Sequence, residues 1–342
     1  MNAAAKNYDG VNKYIRITDI DEASSTYKDK DIVSPDGVLA DNYLVNNRDI
    51  LLARTGASTG KSYLYKKSDG KLYYAGFLIR ANVTTHDPYF VFSQLHTHRY
   101  WRWVSIMSAR SGQPGINSQE YSSFPIYTTS IEEESKIAKL LSLLDERIAT
   151  QNKIIDKLQS LIKGLRVSLM QIENDNIVHL GEIAQIYQPQ TISSTELTED
   201  GFLVYGANGI IGKYKQYNHK TEQICITCRG NTCGMVNYTK PMSWITGNAM
   251  VINTDEHQNK VCKRYLYHYL SAYNFNSIIS GSGQPQIVRT PLEQLKVTLP
   301  TFLEQKQKAT FLDKIQGKIE ICNKALNLYL QQKQYLLRQM FI

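Results

Sequence analysis

The sequence predicts an α+β protein made of two pseudo-repeated α/β lobes separated by two long antiparallel coiled-coil helices. Three observations lead there. The tetrapeptide Ser-Gly-Gln-Pro occurs at residues 111–114 and again at 282–285. After each copy comes a long stretch whose apolar residues fall at alternating steps of four and three, the spacing of a coiled-coil seam. Before each copy lie short apolar runs, aromatic residues and glycine turns, which read as strands with some helix.

A shift of 171 residues aligns the segments after the tetrapeptides without a gap, bringing Ile116 onto Ile287, Glu133 onto Glu304, Leu141 onto Leu312 and Leu165 onto Leu336. With 342 residues, 42% of them hydrophobic, the chain is long enough for two cores. The expected order is a first lobe over 1–130, a helix over 131–171, a second lobe over 172–300 and a helix over 301–342. In the first lobe, residues 50–60 (ILLARTGASTG) parallel 224–234 (ICITCRGNTCG) of the second, and 75–80 parallel 247–252. The first helix carries Ile137, Leu141, Leu144, Ile148, Ile155, Leu158, Ile162, Leu165 and Leu169, with Gln151 as the one break. The second carries Leu312, Ile315, Ile319, Cys322, Leu326, Tyr329, Leu336 and Met340, with Lys308 and Lys333 at two seam positions. Forty helical residues span about 60 Å, more than one small lobe can cover, so each helix is expected to act as a strut. Tandem copies related by a pseudo-twofold axis would make the struts antiparallel, with the lobes at opposite ends.

The net charge of +8 and pI of 9.0 favour a polyanionic partner, although no basic tail is present. No stretch reads as a signal peptide or membrane span, which suggests a cytoplasmic protein without membrane contact. Five cysteines, an odd number with four in the second lobe, do not form a disulfide framework pattern.

Motifs for chemistry fail one by one. The segment 56–62, GASTGKS, has three residues between glycine and Gly-Lys where a phosphate loop needs four, and Met235 stands in the other lobe where Lys61 stands here. Residues 87–90, Asp-Pro-Tyr-Phe, approach the motif with which amino-methyltransferases hold a flipped base, but a helix start explains them better. Cys225, Cys228 and Cys233 with His219 have ligand-like spacing, yet the first lobe has Leu51, Arg54 and Thr59 opposite the cysteines. No catalytic residues and no metal ligands are assigned.

The remaining polar loops suit DNA. Arg54, Thr55, Ser58, Thr59 and Lys61 in one lobe and Arg229, Asn231 and Thr232 in the other put guanidinium, hydroxyl and amide groups on glycine-rich turns, where they match base-edge and phosphate chemistry. Gln113 and Gln284 of the tetrapeptides and Asn208 join this set. Lys66, Lys67, Lys213, Lys215 and Lys240 are candidates to neutralise phosphates. Residues 99–103, Arg-Tyr-Trp-Arg-Trp, mix bases with aromatics, a pattern that favours core packing over nucleic acid.

On these residues the chain resembles the DNA specificity subunit of type I restriction-modification enzymes over essentially its whole length. The resemblance rests on 180–190 (LGEIAQIYQPQ), 201–212 (GFLVYGANGIIG), 224–234, the two tetrapeptides, the spacer 132–165 and 300–309 (PTFLEQKQKA), in that order. It implies two target recognition domains, each reading half of a bipartite sequence, and helices that set the gap between the halves. It also implies two modification subunits supplying S-adenosylmethionine and adenine methylation, restriction subunits supplying ATP- and Mg-dependent translocation and cleavage, and no cofactor on this chain. One departure stands out. The second lobe has some 25 residues before its GFLVYGAN segment, but the first has only a dozen before Tyr14 to Ile17, so it is expected to lack an opening strand. The competing readings are the recognition portion of a combined restriction and methyltransferase enzyme, and a coiled-coil adaptor that does not touch DNA.

Overall fold

A computed structural model describes residues 1–109, 112–170, 176–207, 209–281 and 283–341. The chain divides into two compact units, Met1–Lys153 with Asn323–Ile342, and Ile154–Cys322.

In the first unit β1 (Ala4–Asn7) is exposed and pairs antiparallel with β3 (Val33–Asp36), while β2 (Lys13–Ile15) runs parallel to β6 (Leu72–Tyr74). The centre is β4 (Asp49–Ala53), antiparallel to β5 (Ser62–Leu64) on one side and β7 (Leu78–Asn82) on the other. All five β4 residues are buried, as a near-continuous apolar run in a central strand requires. Alternation sends Leu51 and Ala53 into a core with Ile15, Tyr63 and Leu72, and Ile50 and Leu52 into another with Phe92, Tyr100 and Ile116. The second core is closed by α1 (Pro88–Gln94), α2 (His98–Met107) and α3 (Ser118–Ser122), each started by a side-chain cap. The Asp87 carboxylate accepts from the Tyr89 and Phe90 amides with Pro88 in the first helical position, so the Asp-Pro-Tyr-Phe segment is a helix start.

The second unit opens with β8 (Ile177–His179), α5 (Leu180–Ile183) and β9 (Gln185–Tyr187). Strand β10 (Phe202–Gly206) forms a bulged hairpin with β11 (Gly209–Tyr214) and runs parallel to β14 (Trp244–Ile245). A four-stranded sheet has the order β13 (Val236–Tyr238), β12 (Ile224–Thr227), β15 (Ala249–Asn253), β9. Helices α6 (Lys263–Leu270) and α7 (Arg289–Glu293) cover it, and β16 (Lys296–Thr298) pairs with β8.

Two long helices, α4 (Ile131–Met170) and α8 (Phe302–Met340), each run from one unit into the other. Within the first unit Ala138 and Leu141 cluster with Leu337 and Phe341, and Lys333 Nζ lies 2.6 Å from Asp145 Oδ1. Within the second, Ile162 and Leu169 share a core with Ala309, Leu312 and Ile319, and Arg166 donates to Gln316 at 3.4 Å. Ascending α4 meets descending α8 in the first unit, so the helices are antiparallel. Of the seam residues, Leu141, Leu144, Ile155, Leu312 and Ile319 are buried; Ile137, Ile148, Leu158, Ile315 and Leu326 are half-buried. The lysine at seam position 333 is accommodated by its ion pair with Asp145.

The units share a plan. Each has a parallel pair, in register Tyr14↔Tyr73 and Val204↔Trp244, and a three-strand antiparallel core. One alignment needs correction. Arg54 N bonds to Phe77 O as Cys228 N bonds to Asn248 O, and Ile50 faces Ala81 as Ile224 faces Ile252. Residues 76–81 therefore correspond to 247–252, one position away from the sequence alignment. A one-residue slip exchanges the two faces of a strand, and apolar residues on both faces of these strands hid it.

Candidate nucleic-acid interface

In each unit a glycine turn follows the central strand and is clasped to the Gln-Pro segment by the same backbone bonds. In the first, Gly56 N donates to Pro114 O at 2.9 Å and Ile116 N to Arg54 O at 2.9 Å. In the second, Gly230 N donates to Pro285 O at 2.9 Å and Ile287 N to Cys228 O at 3.0 Å. Gly56 and Gly60 have φ of +69° and +92°, and Gly230 and Gly234 have +85° and +89°. Such positive φ values are where glycine carries no Cβ penalty, so the turn needs both glycines of each segment.

The clasp brings sequence-distant candidates together. Gln113 reaches over Gly56: a Cβ built there would lie 2.9 Å from its Nε2. Arg54 and Gln113 are exposed, and Thr55 and Ser58 are half-buried. Opposite, Arg229, Asn231 and Gln284 are exposed and Thr232 is half-buried, with Arg229 bridged to Gln286. Arg229 corresponds to Thr55 and not to Arg54, whose counterpart is the buried Cys228. Each unit thus carries its guanidinium at a different turn position.

Other candidates fall elsewhere. Thr59 is buried and its hydroxyl donates to Gly56 O at 2.8 Å, so it locks the turn from inside and does not face a ligand. Lys61 is only 19% exposed and sits 3.0 Å from Glu22, its charge answered within the fold. Lys66 and Lys67 are exposed at the far end of β5, about 16 Å from the turn at 3.3 Å per residue. Lys213 lies on β11, 3.6 Å from Asp200, with Lys215 exposed just beyond the strand and Lys240 exposed between β13 and β14. Asn208 lies outside the described residues.

The structure adds exposed apolar residues that motif reasoning passed over. Ile210 and Ile211 stand on the β10–β11 hairpin, whose Ala207 carbonyl accepts from the Thr227 hydroxyl at the start of the glycine turn. Met235, 46% exposed, ends that turn, and Phe77, 61% exposed, bonds through its carbonyl to Arg54 N. Apolar groups of this kind suit thymine methyls or base steps. No sequence signal separates them from core residues.

The aromatic run on α2 is mostly structural. Tyr100 is fully buried and donates to Gly60 O at 2.8 Å, Trp103 stacks against it, and Arg99 lies over Phe124 and Tyr127. Among the described residues no group of three His, Cys, Asp or Glu side chains is placed to hold a metal ion. Cys225 and Cys228 point into different cores, because an odd separation puts strand residues on opposite faces, and burial pushes the Cys225 thiol up to about 12. No described helix is long and apolar enough to cross a membrane.

Comparison with known proteins places this geometry. The chain is 25% identical over 327 residues to the type I restriction enzyme MjaVIII specificity subunit of Methanocaldococcus jannaschii, covering 82% of this chain and 75% of that one. It is 32% identical over 140 residues to the EcoprrI specificity subunit of Escherichia coli, a match spanning 40% of this chain but only 34% of the relative. Among solved structures, the S subunit of the type I restriction-modification system from M. genitalium superposes with a TM-score of 0.74 at 16% identity, covering 100% of this chain and 93% of that one. A chain from a study of complex assembly and conformational transition in the type I system superposes with a TM-score of 0.54 at 16% identity over 96% of this chain and 90% of that one. At that identity the likeness is one of fold. The model of the type I restriction modification DNA specificity domain matches residues 1–160 and 173–330, and the chain belongs to that family.

Proposed function

We propose that this chain is the DNA-reading, non-catalytic subunit of a type I restriction-modification complex, each unit reading one half of a bipartite target. The observation that carries the reading is the duplicated clasp, beside which Arg54 and Gln113 in one unit and Arg229, Asn231 and Gln284 in the other are exposed. Arginine matches the two acceptors of guanine, and asparagine or glutamine the acceptor-donor pair of adenine, in the major groove. The antiparallel helices set the number of unread base pairs between the half-sites. Two modification subunits bring S-adenosylmethionine and the adenine-methylating site, and restriction subunits bring ATP, Mg and cleavage; this chain binds none of these cofactors.

The test is gel-shift titration of the chain assembled with its modification subunits, using duplexes that carry or lack the site methylated in cells. Sequence-selective binding that weakens with salt is expected. Indifference to sequence would remove the proposal. Methyl transfer or cleavage by the isolated chain would favour a combined enzyme, and DNA binding unaltered by Arg54→Ala plus Arg229→Ala would favour an adaptor.

A further inference from the structure

Each lobe is fastened to the long helices at two levels, and the two repeats use different chemistry at the second. At the first turn of each helix the attachment is the same. Glu134 Oε2 accepts from Asp87 N at 2.9 Å, and Gln305 Oε1 accepts from Cys262 N at 2.8 Å. These bonds fix the correspondence of α1 with α6 and of α4 with α8, so Tyr89 answers to Arg264, Ser93 to His268, Ser142 to Asp313 and Asp145 to Gln316.

Further along, Tyr89 and Arg264 each donate to a carboxylate of the helix that follows their lobe, though not to the equivalent one. In the first unit Tyr89 Oη donates to Asp145 Oδ2 at 2.5 Å, and Asp145 Oδ1 lies 2.6 Å from Lys333 Nζ of α8. In the second, Arg264 Nε donates to Asp313 Oδ1 at 2.9 Å, and His268 Nε2 lies 2.9 Å from the same oxygen. Three residues separate the two carboxylate positions in the repeat, so they share a helix face. His268 is fully buried, and its Nδ1 accepts from Arg166 Nε of α4 at 3.1 Å. A guanidinium only donates, so His268 is neutral with its proton on Nε2, aimed at Asp313. Burial acts in the same sense, lowering the pKa of the ring. Within its own unit, each carboxylate thus ties a lobe helix to both α4 and α8.

From Glu134 to Asp145 is about 16 Å along the helix, and from Gln305 to Asp313 about 12 Å, at 1.5 Å per residue. Apolar packing is non-directional, whereas hydrogen bonds are directional, so two bonded levels more than two turns apart oppose swivelling of the lobe about the helix. A split target demands that stiffness. One added base pair between half-sites shifts a half-site by about 3.4 Å and also turns it by roughly 35°. Helix length sets the distance and does not set the angle.

We infer that Asp145 and Asp313 are positioning residues for spacer discrimination, each locking the rotational setting of its lobe on the helices. The inference rests on the bipartite reading proposed above.

The test uses the chain assembled with its modification subunits and duplexes carrying the site methylated in cells, with the spacer at its natural length or one base pair longer or shorter. Unsubstituted protein should bind the altered spacers about tenfold or more weakly. Asp145→Ala and Asp313→Ala should bring that ratio to about threefold or less while discrimination against base changes inside each half-site is kept. Lys263→Met breaks the 2.6 Å pair of Lys263 with Asp255 inside the second lobe, and should lower Tm without changing the spacer ratio. Lys333→Met and Arg166→Met cut only the link to the other long helix, and they carry the test if an alanine variant fails to assemble. A spacer ratio retained in the Asp145 and Asp313 variants, loss of base discrimination along with it, or equal relaxation in Lys263→Met would each overturn the inference and leave the bipartite reading standing. Unsubstituted protein indifferent to spacer length would remove both.

Discussion

Replacing Gly60 by alanine tests whether the glycine turns are held by the packing described. Gly60 has φ +92°, and a Cβ there would lie 2.7 Å from Val104 Cγ1 and 3.0 Å from Trp101. Gly230 has φ +85°, but a Cβ there meets nothing within 4 Å. Both substitutions incur about 1–2 kcal/mol for an L-residue at positive φ, offset by roughly 0.4–1 kcal/mol because alanine restricts the unfolded chain. Only Gly60→Ala adds overpacking against α2, about 1–3 kcal/mol. The expected destabilisation is about 2–4 kcal/mol for Gly60→Ala and about 1 kcal/mol for Gly230→Ala. At roughly 2–4 °C per kcal/mol for a unit of this size, Tm should fall by about 4–16 °C in the first case and a few degrees in the second. Calorimetry read with urea unfolding measures both. Equal losses, or a greater loss for Gly230→Ala, would refute the claim that packing against α2 leaves no room for a side chain at Gly60.

Two further predictions follow from the helices. Burial pushes the Asp313 carboxyl up, but hydrogen bonds from His268 (2.9 Å) and Arg264 more than offset it and hold it at about 2. A lowered folded-state value means its contribution is present above the ordinary aspartate range near 3.9 and is lost as pH falls through about 2. Asp313→Asn should therefore lower the urea midpoint at neutral pH and flatten its decline between about pH 4 and 2; an unchanged acid limb would count against the pairing. Inserting one heptad into both long helices keeps the apolar seam in phase and adds about 10 Å of helix, so the preferred spacer of a bipartite target should lengthen by roughly three base pairs. Methylation mapping reads this directly, and an unchanged spacer would remove the ruler role.

Much of the architecture was legible because it depends on local periodicity. The four-three spacing of Leu141, Leu144, Ile155 and Ile162 marks a helix seam whatever surrounds it, and paired glycines mark turns requiring positive φ. Strand register was less accessible, since short strands with apolar residues on both faces carry no clean alternation to fix a one-residue slip.

For the candidate interface, residue type and the duplicated Ser-Gly-Gln-Pro were enough to select the turns and the Gln-Pro segments. Their joining by Gly56–Pro114 and Gly230–Pro285 bonds belongs to the tertiary structure, because it links residues more than fifty positions apart. So does the sorting of neighbours into exposed and inward-facing groups. Thr59 turns in to Gly56, Lys61 is drawn to Glu22, and Lys66 and Lys67 are carried off by the length of β5, while Phe77, Ile210 and Met235 remain exposed. Periodicity and turn chemistry act over a few residues and are written in composition; exposure and charge pairing depend on which distant segments arrive beside a side chain, and only the folded chain decides that.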